Sequence, residues 1–319
     1  MKEMKNNPVC KLFGTELPIV CGGMAWCSGW RLAAAVSRAG ALGVIGSGSM
    51  DAGLLREHIH RCREATDKPF GVNVPLQAPH VERIIDVVTE ERVGAVITSA
   101  GNPALYTQRL HEAGCKVAHV VADSRSARKC AEAGVDAVIA EGFEAGGHNG
   151  RQETATLVLV PIVRRAIDLP LIAAGGIATG EGMLAALALG ADGVQIGTRF
   201  VMTDESSAGD AFKRLCLTLG EGDTMLALKR LSPTRLVKNE FYRMMDEAEQ
   251  RGATAGQLEQ MIGRGRAKRG MFDGDIVMGE LEIGQAVTLV RSIQPAGEVV
   301  GQITGEFDRA LERLCERTM

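Results

Sequence analysis

The 319-residue sequence contains no apolar run of the eighteen or more residues that a membrane helix needs, because Glu181 and Asp192 interrupt the richest stretch. It has no surplus of either charge. Thirty-six basic and 39 acidic side chains leave a net charge of −3, which argues against a nucleic-acid partner. It also lacks any C-x-x-C spacing: Cys10, Cys21, Cys27, Cys62, Cys115, Cys130, Cys216 and Cys315 are scattered, so reduced core thiols are expected rather than disulfides or zinc. His58 and His60 lie two apart on an expected helix, whereas a metal pair needs i and i+4. The first seven residues, Met1 to Asn7, lack the apolar segment of a signal peptide, so a cytosolic protein is expected.

What is present is ordinary for a folded chain, with 45% hydrophobic and 24% charged residues. The length allows one large α/β domain with a smaller appendage, or two ordinary domains. From Leu17 to Gly197, short apolar runs alternate with stretches of helical period. The expected strands are Pro18–Cys21, Leu42–Ile45, Phe70–Val74, Ala95–Thr98, Val117–Val121, Ala137–Ala140, Pro170–Ala174 and Gly193–Ile196. Most are unbroken Val, Ile, Leu and Ala, which suits a parallel sheet covered on both faces. Gly40, Gly114, Gly134 and Gly190 close four of the intervening helices as left-handed C-caps. Eight β-α units in succession predict a TIM barrel; a doubly wound sheet is the alternative, but no G-x-G-x-x-G follows the first strand.

In a barrel, chemistry belongs to the loops after the strands, and those loops are rich in small and amide residues. They hold Gly22, Gly23 and Met24 after the first strand, Ser47 after the second, Asn73 at the third and Ser99 at the fourth. The sixth leads into A-E-G-F-E-A-G-G-H-N-G, where His148 stands among Glu141, Glu144, Gly142, Gly146, Gly147 and Gly150. That composition fits a site where backbone approaches a planar ligand, and equally a flexible loop with a solvated histidine. The last two loops carry Ala174, Gly175 and Gly176, then Gln195, Gly197 and Thr198. Glycines leading into helix starts can cradle a phosphate, although a Gly-Gly pair also serves as a plain tight turn.

Beyond Phe200 the rhythm stops. Residues 205 to about 265 have helical period and no strand-like runs, predicting a helical subdomain over the barrel mouth. The expected division is a barrel over 1–204, a lid subdomain over 205–290 and a terminal segment over 291–319 whose helix, Gly301–Met319, packs back on the barrel. Arg264, Arg266, Lys268 and Arg269 form either a solvated loop or a docking patch for an acidic partner.

Taken together, P-I-V-C-G-G-M-A-W, D-K-P-F-G-V-N, A-G-N-P, H-E-A-G, the His148 loop, L-P-L-I-A-A-G-G-I-A-T-G-E-G and G-V-Q-I-G-T-R-F-V resemble the flavin-dependent enoyl-acyl-carrier-protein reductase II family and its relatives, the nitronate monooxygenases. The resemblance covers residues 10 to about 205 and, more loosely, Gly274–Gln285 and I-Q-P-A-G-E-V-V near the C-terminus. It implies FMN at the barrel top, with Gly23, Met24, Asn73, Glu141, Ala174, Gly175, Gly176, Gln195, Gly197 and Thr198 at flavin-contacting positions and His148 on the catalytic histidine. Cys21 stands where both families usually carry glutamine; its thiol either tunes the flavin or packs. The sixth strand ends A-E-G, as the reductases tend to.

The resemblance therefore implies reduction of trans-2-enoyl thioesters by NADH or NADPH through FMN. The acyl carrier protein would be the partner, with a homodimer and a possible monovalent cation. His148 would contact the thioester carbonyl or direct a proton to C2, a role suited to a side chain that titrates near neutrality. Two alternatives remain open: a nitronate monooxygenase with His148 as the base, and a flavin-binding module without turnover.

Overall fold

The computed structural model describes residues 4–318, so Met1–Glu3 and Met319, the last residue of the expected terminal helix, lie outside the described residues. All eight expected strands form within a residue or so of their predicted ends. They are β1 (Ile19–Cys21), β2 (Gly43–Gly46), β3 (Phe70–Pro75), β4 (Ala95–Ser99), β5 (Lys116–Val121), β6 (Ala137–Glu141), β8 (Leu171–Ala174) and β9 (Gly193–Ile196); the two-residue β7 (Gly147–His148) lies off this sheet. Neighbouring strands pair in parallel in the order β1-β9-β8-β6-β5-β4-β3-β2. The ring closes between β1 and β2, where Cys21 N donates to Leu42 O at 2.8 Å and Leu42 N donates to Ile19 O at 2.8 Å. The fold is a TIM barrel.

Strand alternation sorts the apolar residues into two cores. Val20, Leu42, Val44, Ala95, Ile97, Ala118, Ala137, Ile139 and Ile172 fill the barrel, and Val9 and Phe13 of α1 (Pro8–Phe13) join them as a plug. The alternate residues, Ile19, Cys21, Ile45, Val72, Val96, Val138 and Val194, face the surrounding helices. Those helices are α2 (Trp30–Arg38), α3 (Ala52–Ala65), α4 (Val81–Glu90), α5 (Thr107–Glu112), α6 (Ser124–Glu132), α7 (Thr156–Arg164), α8 (Gly180–Ala188) and the short α9 (Thr198–Val201). Gly40, Gly114, Gly134 and Gly190 all adopt positive φ, between 76° and 101°, where L side chains are strained. Seven of the cysteines are buried thiols and Cys315 is exposed.

After α9 come α10 (Asp210–Cys216), β10 (Thr224–Ala227), β11 (Thr234–Val237), α11 (Glu240–Gln250), α12 (Ala255–Ile262) and α13 (Ala296–Thr318). Two expectations are corrected here. The region 205–265 does contain strands: β10 and β11 form an antiparallel hairpin, and β11 also pairs with β7. Strands of four residues are too short to show a period, and part of their pairing comes from a segment far away in the sequence. The terminal helix starts at Ala296 rather than Gly301 and packs against α2 and α8. Among the described residues no helix is long and apolar enough to cross a membrane.

Candidate active site

At the C-terminal ends of the strands, alternation turns Asn73, Ser99, Glu141, Ala174 and Gln195 inward, since their neighbours Val72, Val74, Ala140, Ala173, Val194 and Ile196 pack outward. Register puts three of them in one layer: Glu141 pairs with Ala174, and Ala174 with Gln195. Across the rim, Asn73 Nδ2 donates to Ile97 O at 3.0 Å and to Ser99 Oγ at 3.4 Å, while Ser47 Oγ donates to Asn73 O at 2.6 Å. The other half of the layer lacks such partners. Gln195 is 8% exposed and its Oε1 is buried without a hydrogen bond. Burial pushes the Glu141 carboxyl up to about 7. A buried acceptor left unpaired costs about 1–3 kcal/mol, so Gln195 Oε1 is free to accept from a group that brings a donor.

The loops above the layer allow close approach. A Cβ at Gly23 would lie 2.1 Å from Asn73 Cβ, and one at Gly22 would lie 3.2 Å from Gly197 Cα. Met24 is fixed by Ser28, whose Oγ accepts from Met24 N at 2.8 Å. Gly175 and Gly176 hold φ of 95° and 73°, and a Cβ at Gly175 would lie 2.6 Å from Gly142 O. The expected cradle residues Gly175, Gly176, Gly197 and Thr198 thus gather at the ends of β8 and β9, but the Thr198 hydroxyl already accepts from Gly284 N at 3.0 Å. Arg199 of the same G-T-R turn is directed at α13 and the segment before it, with Nη2 donating to Gln302 Oε1 of the helix at 3.0 Å and to Gln294 Oε1 at 2.7 Å.

The His148 loop is not free. Gly147 and His148 pair with Arg235 and Thr234 of β11, and Asn149 N donates to Pro233 O at 2.7 Å. Asn149 Nδ2 ties the turn further through Ala145 O and Gly147 O, at 2.9 and 2.8 Å. Glu144 caps α7, accepting from Thr156 N at 3.0 Å and Thr156 Oγ1 at 2.9 Å. Arg235 is 2% exposed; its Nε and Nη2 both donate to Phe143 O, at 3.0 and 2.8 Å, so a buried cation pins the backbone between Glu141 and His148. The His148 imidazole itself is exposed.

Sequence reasoning overlooked Arg235, and also Glu280 and Glu282, which close the loop from its far side. Gly146 leaves room for Ile283 and Gly284, and a Cβ at Gly147 would lie 2.5 Å from Glu282 Oε2. The available signal was the alternation E-L-E-I within 280–283. Cys21, by contrast, faces the helical layer, where burial raises its thiol to about 12, so it packs and does not reach the rim. The basic segment is not one patch: Arg266 binds the carbonyls of Ile262, Met261 and Met278 over the Phe241 ring, Arg269 pairs with Asp275, and Lys268 lies 5.9 Å from the Trp26 ring centroid. A separate groove of about 850 Å³ runs between α2 and α13, lined by Leu17, Arg38, Glu205 and Val300, and shares no residue with the rim.

The profile of the nitronate monooxygenase family matches residues 6–85 and 76–306. Among solved structures, FabK from Thermotoga maritima is 43% identical, superposes with a TM-score of 0.93, and covers 98% of this chain and 99% of its own. A nitronate monooxygenase from Paraburkholderia phytofirmans is 31% identical over 95% of both chains. A 5-hydroxy-7a-methyl-1-oxo-octahydro-1H-indene-4-carboxyl-CoA dehydrogenase from Rhodococcus jostii is 39% identical over 69% of this chain, and the match spans 62% of that relative's length.

Proposed function

The chain belongs to the nitronate monooxygenase family of oxidoreductases, and from that premise we propose that it is an FMN-dependent reductase that saturates trans-2-enoyl thioesters with NADH or NADPH. The observation that carries this reading is the rim layer, in which Gln195 Oε1 is buried without a partner in register with Glu141, Ala174 standing between them, and opposite the Asn73–Ser47–Ser99 network. An isoalloxazine ring offers an N–H donor and carbonyl acceptors to such a layer, and the glycines at 22, 23, 175, 176 and 197 leave backbone close enough to hold ring and phosphate. FMN, when bound, supplies the hydride chemistry.

The protein's own contribution is binding, orientation and proton handling. Asn73 is locked by its two donated bonds, and Gln195 supplies an acceptor. Gly146 and Gly147 keep the loop thin where it meets Glu282, Ile283 and Gly284. His148 would hydrogen-bond the thioester carbonyl and hold the proton destined for C2. Thioester delivery by acyl carrier protein, a homodimer and a bound monovalent cation belong to the same proposal. The 43% identity to FabK, together with A-E-G at the end of β6, favours it over nitronate oxidation. The family profile and the Paraburkholderia relative support that second reading, in which His148 is the base and O2 the oxidant.

Anaerobic titration separates the two. NADH or NADPH should bleach the flavin rapidly, and a crotonyl thioester should restore its colour. Bleaching by a nitronate alone would assign the chain to the second reading. His148→Ala should keep FMN and lose at least about tenfold in the crotonyl step, as expected for removal of a general acid; wild-type turnover in that variant rules His148 out.

A further inference from the structure

The chain has two tryptophans, Trp26 in the first barrel loop and Trp30 at the start of α2, and the proposed mechanism gives neither a role. Trp26 holds φ of 64°, a left-handed backbone that a bulky side chain rarely adopts. Two other segments enforce it: Trp26 N donates to Ser49 Oγ at 3.1 Å, and Ser207 Oγ donates to Trp26 O at 2.9 Å. Strain held in place from both sides points to a use for the ring it positions. Trp26 follows Met24 of the rim by two residues, so their Cα atoms are no more than about 7 Å apart.

A segment of the lid meets this ring. Lys268–Phe272 forms a single π-helical turn, with Asp273 N donating to Lys268 O at 2.9 Å, a geometry found frequently at functional sites. Met271 anchors the turn: it is 2% exposed, and its carbonyl accepts from Gly209 N at 2.7 Å. The next side chain is left out of the core, Phe272 being 47% exposed. Its ring centroid lies 6.1 Å from that of Trp26 with the planes inclined at 55°, so the two rings open as a notch. Lys268 Nζ stands 5.9 Å from the Trp26 centroid, is exposed, and has no carboxylate partner among the described residues. Trp30 repeats the pattern, with the Arg31 and Arg61 guanidiniums 5.5 and 6.0 Å from its ring. Arg61 is paired with Glu57, while Arg31 has no carboxylate among the described residues. The two sets adjoin: beside Gly29 lie both Ser207 Oγ, which fixes Trp26, and His58, whose Nδ1 accepts from Trp30 N at 3.2 Å.

We propose that the notch between Trp26 and Phe272 seats the adenine of an adenosine that carries a ribose phosphate, with Lys268 on the phosphate. A purine offers a flat face to aromatic side chains, and phosphate takes charge-assisted bonds from an unpaired cation. An acyl chain would cover the rings and leave the cations uncompensated; a small anion would answer the cations and leave the rings bare. The link to turnover rests on the thioester reading, in which two molecules bring this group to the mouth: NADPH, with its 2′-phosphate, and a CoA thioester, with its 3′-phosphate.

The test is calorimetric titration of the protein, with FMN present, by 2′,5′-ADP, 3′,5′-ADP and adenosine. At least one bisphosphate should bind at least about tenfold more tightly than adenosine. Phe272→Ala, a change at an exposed side chain, should weaken that bisphosphate by about tenfold, and Lys268→Glu should remove most of its advantage over adenosine. Tighter binding of 2′,5′-ADP assigns the notch to NADPH, tighter binding of 3′,5′-ADP assigns it to the CoA thioester, and equal binding assigns it to both. Absence of binding, bisphosphates no tighter than adenosine, or bisphosphate binding that either variant leaves unchanged overturns the inference. Any of these leaves the thioester reading standing, because bleaching and recolouring of the flavin decide that reading separately.

Discussion

Glycine 23 and arginine 235 illustrate how single residues set this site. The first is small because Asn73 occupies its side-chain space. Gly23→Ala would drive a methyl to 2.1 Å from Asn73 Cβ, which must displace the amide or the loop. Protein carrying Gly23→Ala should emerge from gel filtration with much less FMN per chain than wild type, measured by flavin absorbance; full retention would show that the loop does not approach the ring. Arg235 is a structural requirement of the loop that carries His148. Removing a charged donor from Phe143 O costs roughly 1.5–3 kcal/mol, so Arg235→Ala should lower Tm by several degrees and raise KM more than it changes FMN content. Unchanged Tm in that variant would mean that the loop is held by its strand pairing alone.

Among the elements, α13 is open to disruption by a single change beneath it. Gly180 opens α8 directly beneath it, and a Cβ there would lie 2.0 Å from Phe307 N and 2.4 Å from Ile303 O. Backbone cannot yield as a side chain can, so Gly180→Ala should cost about 1–3 kcal/mol by pushing the two helices apart. Urea unfolding reads this directly as a lower midpoint at unchanged slope. Gly43→Ala is the corresponding test for the barrel wall, since its Cβ would meet Ala33 O at 1.8 Å. These tolerances are invisible in the sequence, where a glycine in A-T-G-E-G reads as a turn and not as a contact between helices 126 residues apart, the separation over which Gly180 N also donates to Glu306 Oε2.

For the molecule as a whole, three acids with raised carboxyls make stability fall with pH, partly offset by His119, which burial pushes down to about 4. Burial raises Glu141, Glu280 and Glu282 from 4.5 to about 7, so the folded state binds more protons than the unfolded one across that window. Stability is then at its fullest below about 4.5 as far as these groups are concerned, and falls as pH rises to about 7, by up to about 1.4 kcal/mol per group per pH unit. The apoprotein should show Tm decreasing from pH 5 to pH 8, and Glu141→Gln should flatten the curve by raising the high-pH end. A Tm that rises over this interval would contradict the burial of these carboxyls. FMN should oppose the trend, because a ligand that binds only the folded state stabilises it.

The barrel was legible from the residues because its determinants are local and repeated. Eight apolar runs alternate with helical stretches, four of which end on a glycine C-cap, and right-handed crossover leaves a closed parallel sheet as the natural arrangement. The rim was legible for a related reason: strand ends are identifiable, and Asn73, Ser99, Glu141 and Gln195 stand there in the inward phase of the alternation. What joins β7 to β11, and Glu282 to Gly147, was decided only in three dimensions. Strands of two and four residues carry no period, and the pairing energy comes from segments more than eighty residues apart. The environment of His148, including the buried cation and the acid pair around it, therefore depends on how the chain after the barrel folds back across its mouth.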